Sequence, residues 1–271
     1  MSDEKNAYIL GTEKEELHRL GVQHQVWVSE TVKSWELAGF NTGDTILDLG
    51  SGPGFCAQEL AYLVGSEGVV IAVDKSESYI NFIKEINKVQ GLNIECVLSD
   101  FDDLKLEPNT LDGVYCRWAL AWIPNPEEII AKVTKALKPG GTFVSHEYFD
   151  WSTFQTQPNI PALTKGIKAI LQSFDNSEGR INIGREIPAI FSKLKIDVIG
   201  ARPMTKMATP DHLSWSWPYS FLNIYLPKLV GTGLITNEEV DDALEGLEDL
   251  SGELNSLIVC PYMIEVIGLK K

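Results

Sequence analysis

The strongest constraint in this sequence is the alternation of short apolar runs with amphipathic segments between residues 45 and 148. The apolar runs predict strands, and the segments between them have helical periodicity. The predicted strands are Thr45–Leu49, Val69–Val73, Ile94–Leu98, Leu111–Cys116 and Thr142–Tyr148, and the predicted helices are Ala57–Val64, Glu77–Gln90 and Pro126–Leu137. Strands that alternate with helices predict βαβ units, and therefore an α/β fold with a parallel sheet covered by helices on both faces.

The sequence on either side of this alternation predicts three parts: a helical leader (1–40), a core (41–150) and a C-terminal part (151–271) with lid insertions and the last strands of the same sheet. Residues 12–38 predict one helix in the leader. In the C-terminal part the predicted helices are Leu163–Phe174, Arg185–Leu194 and most of 211–256, and the predicted strands are Lys195–Val198 and Ser256–Gly268. We expect residues 151–180 and 205–255 to form a lid over the strand ends.

The charge balance limits the partners of the chain. There are 38 Asp and Glu residues against 23 Lys and Arg, a net charge of −15, so nucleic acids and anionic membranes are disfavoured as partners. The four cysteines form no CxxC pair, and no metal site is predicted. No secretory signal and no apolar run of about 20 residues is found. We therefore expect a soluble cytoplasmic protein; the sequence does not indicate its oligomeric state.

A glycine-rich turn follows the first predicted strand, in the segment Asp48-Leu49-Gly50-Ser51-Gly52-Pro53-Gly54. Glycines permit a positive φ and let a ligand approach the backbone, and the following helix offers unpaired N–H groups. A P-loop needs Lys and then Ser or Thr after the last glycine, where this chain has Phe55-Cys56. Because the spacing is also not the GxGxxG of dinucleotide folds, an adenosyl ligand without phosphates is favoured.

Acidic residues follow the next two strands. A carboxylate at Asp74 would accept hydrogen bonds from both hydroxyls of a ribose. Asp100 and Phe101 suit the amino group and the ring face of an adenine. A solvated aspartate at a strand end is the alternative for each one, but the ordered series Asp48, Asp74 and Asp100 favours a binding site.

Together these motifs resemble those of the class I S-adenosylmethionine-dependent methyltransferases, in the bacterial small-molecule subgroup of types 11 and 25. The resemblance covers about residues 44–150 and includes Leu137-Lys138-Pro139-Gly140-Gly141 before the fifth strand; the leader segment Tyr8-Ile9-Leu10-Gly11 is similar to that of the subgroup. It implies a doubly wound, Rossmann-like fold with a mostly parallel seven-stranded sheet. It also implies S-adenosyl-L-methionine as cofactor and S-adenosyl-L-homocysteine as product.

The resemblance also implies the cofactor contacts. In the leader, three residues would close over the methionine end, with a solvated helix surface as the alternative. Arg117 and the carbonyl of Cys116 would meet the amino-acid portion of the cofactor, with an ion pair between Arg117 and an acidic residue as the alternative for Arg117. The full set of expected cofactor residues is Tyr8, Arg19, Gln23, Asp48, Gly50, Ser51, Gly52, Gly54, Asp74, Lys75, Ser76, Asp100, Phe101, Cys116 and Arg117.

Two candidates for a general base end the fifth strand, Glu147 and His146. Neighbouring side chains of a strand point to opposite faces, so only one of them can face the cleft directly. Glu147 is favoured because it lies nearer the strand end, and His146 is the competing base. A base is needed only if the accepting atom carries a proton, so a structural role remains the alternative for both.

The expected acceptor site is rich in aromatic residues: Trp118, Tyr148, Arg185, Trp215, Trp217 and Tyr219. Arg185 would bind an anionic group, or else pair with Glu186. The aromatic residues would line a wall around the acceptor or form part of a helical core. We therefore predict methyl transfer to a small molecule that is partly apolar or aromatic. The alternatives are a non-catalytic S-adenosylmethionine-binding regulatory protein and an NAD-dependent dehydrogenase.

Overall fold

The computed structural model describes residues 14–177 and 179–271, which form eight α-helices and ten strands. The helices are α1 (Lys14–Ala38), α2 (Phe55–Val64), α3 (Glu77–Gln90), α4 (Pro126–Ala136), α5 (Pro161–Asn176), α6 (Ile187–Lys193), α7 (Leu213–Val230) and α8 (Asn237–Ser251). The strands are β1 (Thr45–Leu49), β2 (Val69–Asp74), β3 (Ile94–Leu98), β4 (Leu111–Arg117), β5 (Leu137–Asp150), β6 (Gln155–Gln157), β7 (Ile196–Met204), β8 (Met207–Ala208), β9 (Leu257–Val259) and β10 (Tyr262–Lys270).

Seven strands form one sheet in the order β3-β2-β1-β4-β5-β10-β7. The first five are parallel to their neighbours, whereas β10 and β7 are antiparallel to each other. The predicted mostly parallel, doubly wound sheet is therefore confirmed. The chain order reverses between β1 and β4, and open α/β sheets bind their ligands at such a switch point, beyond the carboxyl ends of the strands.

Helices cover both faces of this sheet. On one face α1, α2 and α3 bury apolar side chains against β1, β2 and β4. On the other face α4 and α6 pack against β1, β4 and β5. Side chains of one strand alternate between these faces, so Asp48 lies on the α1 side together with its neighbour Ile46 in β1. The candidate site residues at the strand ends are thus divided between the face covered by α1, α2 and α3 and the face covered by α4 and α6.

The described residues fall into two compact units. The sheet unit consists of residues 27–149, 182–204 and 263–271, and the helical unit consists of the described residues within 1–26, 150–181 and 205–262. The helical unit contains α5, α7, α8 and a small sheet in the order β6-β9-β8. The proposed division into leader, core and lid stays a prediction, and so does the lid role.

The prediction of one long last strand, Ser256–Gly268, is wrong. Residues 257–259 form β9, which pairs antiparallel with β6 and β8 in the small sheet. The large-sheet strand β10 begins only at Tyr262, after Cys260 and Pro261. Proline lacks the N–H that a strand ladder needs, and this explains why the apolar run does not continue through residue 261. In the described part of the chain no helix is long and apolar enough to cross a membrane.

Candidate active site

The glycine-rich turn after β1 is held against β2. Gly50, Gly52 and Gly54 have φ of 75°, 53° and 79°, the left-handed region that glycine adopts without steric cost. The backbone N–H groups of Gly50 and Ser51 both donate to the carbonyl of Val73, at 3.0 and 2.9 Å. These bonds fix the turn at the carboxyl end of the sheet.

The two sides of this turn differ in the space around them. A Cβ atom at Gly50 would lie 2.4 Å from the Cβ of Ala119, which follows β4. A Cβ atom at Gly52 would meet nothing within 4 Å. The turn is therefore packed tightly against the β4 segment at Gly50 and is open at Gly52, where a ligand can approach its backbone.

Asp74 at the end of β2 is oriented by two backbone amides. Its Oδ2 accepts the N–H of Gly52 at 2.8 Å, and its Oδ1 accepts the N–H of Ser76 at 2.8 Å. Ser76 in turn caps α3, because its hydroxyl accepts the N–H of Tyr79. Carboxylate oxygens can accept more than one hydrogen bond each, so Asp74 keeps capacity for two hydroxyl donors. Lys75 is exposed.

Asp48 is buried, and the positive charge of Arg117 acts on it. Burial raises the pKa of Asp48 to about 7, and the charge of Arg117 opposes that shift. The Oδ2 of Asp48 and the Oγ of Ser51 are both buried without a hydrogen-bond partner among the described residues. Cys116 is fully buried, and burial holds the pKa of its thiol well above the ordinary value, so this position can offer only its backbone.

These observations fit an adenosyl cofactor. The buried oxygens of Asp48 and Ser51 can accept or donate hydrogen bonds at the amino-acid end, and Asp74 can bind a ribose. Phe101, after β3, is half-buried beside the turn, and its Cζ atom lies 3.4 Å from the position that a Cβ at Gly50 would take. Its neighbour Asp100 is exposed. A ring and a carboxylate at this point suit an adenine.

An aromatic cluster lies at the ends of β4 and β5. Trp118 stacks on Tyr148 with ring centroids 5.9 Å apart, and it meets Trp27 edge-to-face at 5.9 Å. The guanidinium carbon of Arg117 lies 5.1 Å from the centroid of the Trp118 ring. Trp118 has a φ of 54°, a costly conformation for a bulky side chain that typically occurs at functional sites.

Glu147 lies on the α4 face and binds the turn that follows β4. Its side chain is fully buried, and its Oε1 accepts the N–H of Leu120 at 3.0 Å. Burial raises the pKa of Glu147 to about 8, although hydrogen bonds from the backbone at Leu120, Ala119 and Ala121 lower it. The other oxygen, Oε2, has no hydrogen-bond partner among the described residues. One oxygen is therefore anchored, and the other is buried without a hydrogen bond among the described residues.

His146 lies on the opposite face and is enclosed by polar side chains. Its Nε2 is 2.6 Å from the Oγ of Ser34, and its Nδ1 is 3.3 Å from the hydroxyl of Tyr115. Burial lowers the pKa of His146, so the ring is neutral near pH 7. As expected from their positions on the strand, the two base candidates point to different faces.

Two leader residues come together within the helical unit. Arg19 forms a bidentate ion pair with Glu16, at 2.7 and 2.6 Å, and also donates to Gln23 at 2.9 Å. The same Gln23 oxygen accepts the indole N–H of Trp217 at 2.9 Å. Arg19 is 3% exposed, so the alternative of solvated side chains on a surface helix is wrong for these residues. Tyr8 lies outside the described residues.

The other expected acceptor residues have structural contacts. Trp215 is buried in α7, and the hydroxyl of Tyr219 donates to Glu248 of α8, so both help to assemble the helical unit. In the sheet unit, Arg185 is exposed, donates to the carbonyl of Phe149 and lies over its ring. A role of these residues in binding an acceptor stays a prediction.

The raised pKa of Glu147 predicts a pH-dependent stability. Between pH 6.5 and 8 the unfolded Glu147 is ionised while the native group still binds a proton, so the free energy of unfolding falls as pH rises. We expect a loss of about 1 to 2 kcal/mol over this interval from this one group. Glu147→Gln keeps an oxygen for the Leu120 amide and should remove that loss, as measured by urea denaturation at several pH values. Equal pH slopes for the two proteins would contradict the assignment.

Comparisons with known proteins point to methyltransferases, as the resemblance of the sequence motifs does. The family model described as "Methyltransferase domain" matches residues 40–175, half of the chain. The ubiquinone/menaquinone biosynthesis C-methyltransferase UbiE of Francisella tularensis subsp. novicida is 31% identical over 144 residues, which are 52% of this chain and 54% of that protein. The chain therefore spans about half the length of the curated relatives it matches.

Two solved structures show the same fold. A putative methyltransferase from Bacillus halodurans has a TM-score of 0.62 at 14% identity and covers 89% of this chain and 99% of its own. The second is the geranyl diphosphate C-methyltransferase of Streptomyces coelicolor, solved with Mg2+, geranyl diphosphate and S-adenosyl-L-homocysteine. It has a TM-score of 0.55 at 12% identity, and the match covers 92% of this chain and 82% of that chain.

The family match excludes the dehydrogenase alternative. Cofactor binding by the turn between β1 and α2 stays a prediction. The chain belongs to the methyltransferase-domain family and has the fold of the class I S-adenosylmethionine-dependent methyltransferases.

Proposed function

We propose that this enzyme methylates a small molecule that is partly apolar or aromatic, at a carbon atom activated by the loss of a proton. The observation that carries the proposal is the aromatic cluster of Trp27, Trp118 and Tyr148 at the ends of β4 and β5. Aromatic faces at the switch point of the sheet suit a planar or apolar acceptor. The C-methyltransferase names of the relatives in Francisella and Streptomyces support carbon as the accepting atom.

Within this proposal, Asp48, Ser51, Asp74 and Arg117 hold the cofactor, and Trp118 and Tyr148 align the acceptor and exclude water. The bound cofactor supplies an electrophilic methyl group. Methyl transfer from a sulfonium disperses charge, so alignment of the two reactants at contact distance is the main task of the protein.

We further propose Glu147 as the general base. A base works best when its pKa lies near the working pH, and the pKa of Glu147 is about 8. Its Oε2 has no partner among the described residues, whereas both ring nitrogens of His146 contact a neighbouring hydroxyl. Glu147 is therefore the more available of the two candidates to accept a proton.

Nucleic acid is not part of the proposal, because a net charge of −15 disfavours contacts with many phosphates. A cytoplasmic location is proposed on the sequence argument alone.

The acceptor class can be tested with S-adenosylmethionine that carries a labelled methyl group. The enzyme is incubated with a short-chain hydroquinone, a catechol, a primary alkylamine and bulk tRNA, and the product is identified by mass spectrometry. We expect label on a ring carbon of the hydroquinone or the catechol, because these molecules pair an aromatic face with an ionisable group. Label only in the amine or in tRNA would contradict the proposal.

The base assignment predicts the behaviour of Glu147→Gln. Turnover should fall about 100-fold or more, the usual contribution of a positioned base, while the affinity for S-adenosylhomocysteine stays within about twofold. The wild-type kcat should rise with pH up to about 8, since Glu147 must lose its proton first. Glu128→Gln, an exposed change in α4, is the matched control. Turnover of Glu147→Gln within threefold of wild type would refute the assignment.

A further inference from the structure

A continuous set of buried polar side chains crosses the α1 face of the sheet unit. Thr31 and Ser34 of α1, Tyr115 of β4, His146 of β5 and Glu265 of β10 are each at most 1% exposed. Polar groups in such a place are costly unless they are hydrogen-bonded to one another. We call this set the buried polar chain.

The outer end of the buried polar chain is fixed by an arginine. Arg202 of β7 donates to both oxygens of Glu265, at 3.2 and 2.7 Å, and also to Glu30 of α1 at 2.8 Å. Hydrogen bonds from His146, Arg202 and Ser34 hold the pKa of Glu265 at about 2, against the effect of burial. Glu265 is therefore a permanent acceptor, and this sets the direction of the bonds that follow.

The direction of each proton in the middle of the chain can be worked out from this acceptor. The Ser34 hydroxyl has one proton, and two oxygens that can only accept it lie within reach, the Oε2 of Glu265 and the carbonyl of Glu30 at 2.7 Å. Whichever of them accepts the proton, none is left for His146. The Nε2 of His146, 2.6 Å from the Ser34 oxygen, must then carry a proton and donate it. The Nδ1 of neutral His146 is left as an acceptor for the hydroxyl of Tyr115 at 3.3 Å. The tautomer of His146 thus follows from the two acceptors around Ser34, the ionised Glu265 and the carbonyl of Glu30.

The inner end of the chain reaches the cofactor site. The Tyr115 oxygen is 3.2 Å from the Oγ1 of Thr31. Because Tyr115 gives its own proton to His146, the Thr31 hydroxyl is the donor in this contact, and the carbonyl of Trp27 at 3.0 Å is its second acceptor. The same Thr31 oxygen accepts a guanidinium N–H of Arg117 at 3.1 Å. Arg117 is the cation whose charge acts on the buried Asp48. Arg117 also donates to the hydroxyl oxygen of Tyr115, so Thr31 and Tyr115 together link the buried polar chain to Arg117.

We propose that Thr31 is a positioning residue for cofactor binding: it fixes the guanidinium of Arg117 over Trp118 at the end of β4, and the buried polar chain from Tyr115 to Glu265 fixes Thr31. None of these chain residues needs to touch the cofactor. A guanidinium that is held in place loses less side-chain entropy when a ligand binds, so its orientation contributes directly to affinity. The inference rests on the proposed cofactor role of Asp48 and Arg117.

The test replaces Thr31 by valine, which keeps the shape and removes the hydroxyl. Calorimetric titration with S-adenosylhomocysteine should show a Kd raised about 5- to 20-fold, as expected for loss of one or two hydrogen bonds to a charged group. Thr31→Ser restores the hydroxyl and should return the Kd to within about twofold of wild type. Rescue by serine separates loss of the hydroxyl from a general disturbance of the helix.

Thr134→Val is the matched control. Thr134 is buried in α4 and donates to the carbonyl four residues earlier, at 2.6 Å, as Thr31 does, and it lies on another element away from Arg117. Its replacement should leave the Kd within twofold. If Thr31→Val does not fold, Tyr115→Phe removes the neighbouring hydroxyl of the chain and should raise the Kd in the same direction.

A double-mutant cycle with Arg117→Ala separates this inference from the assignment on which it rests. Arg117→Ala should weaken binding, and Thr31→Val should add nothing further in that background. If Arg117→Ala binds as tightly as wild type, the cofactor role of Arg117 is wrong. If Arg117→Ala weakens binding but neither Thr31→Val nor Tyr115→Phe does, or if the losses are additive, the positioning role is wrong.

Discussion

The contact between Gly50 and Ala119 determines how the strand ends are arranged. A Cβ atom at residue 50 would lie 2.4 Å from the Cβ of Ala119, so the turn after β1 and the segment after β4 are packed too closely for a side chain at this position. Glu147 of β5 binds the backbone next to Ala119 through Leu120. The ends of β1, β4 and β5 are thus joined at the switch point, and the hydrogen bonds of Gly50 and Ser51 to Val73 join the same turn to β2.

The two faces of the sheet contribute different chemistry to this arrangement. On the α4 face a buried carboxyl, Glu147, holds a proton up to about pH 8 because burial disfavours its charge. On the α1 face Glu265 stays ionised down to about pH 2 because it accepts hydrogen bonds from an arginine, a serine and a histidine. The same residue type therefore serves as a candidate base in one place and as a fixed acceptor in the other, and local hydrogen bonding decides which.

Much of the sheet unit could be predicted from the sequence because its strands, helices and glycine-rich turn are each encoded by the pattern of a few neighbouring residues. Strand β3 and helix α3 begin and end where the periodicity of Ile94–Leu98 and Glu77–Gln90 predicts, and the glycine-rich turn has its own spacing signal. The small sheet could not be predicted in this way. Strands β6 and β8 have three and two residues, too few for periodicity, and they exist only because β9 pairs with both.

The sequence reasoning also missed the buried polar chain, which is built from residues far apart in the chain: Ser34 and Glu265 are separated by 231 positions. One local signal was present. Thr31 and Ser34 lie on the apolar stripe of α1 that includes Trp27, Trp35 and Ala38, where polar residues at helical spacing indicate buried hydrogen bonds. The anchoring of Glu147 by the turn at Leu120 had no such signal, because it depends on how β4 and β5 pair.

The most direct test of the account is a calorimetric titration of the purified protein with S-adenosylmethionine, S-adenosylhomocysteine and NADH. The open backbone at Gly52, the oriented carboxylate of Asp74 and the buried oxygen of Asp48 predict binding of the first two in the micromolar range and no binding of NADH. Binding of NADH with no response to either adenosyl ligand would contradict the assignment of the turn between β1 and α2 as the site of the methyl donor.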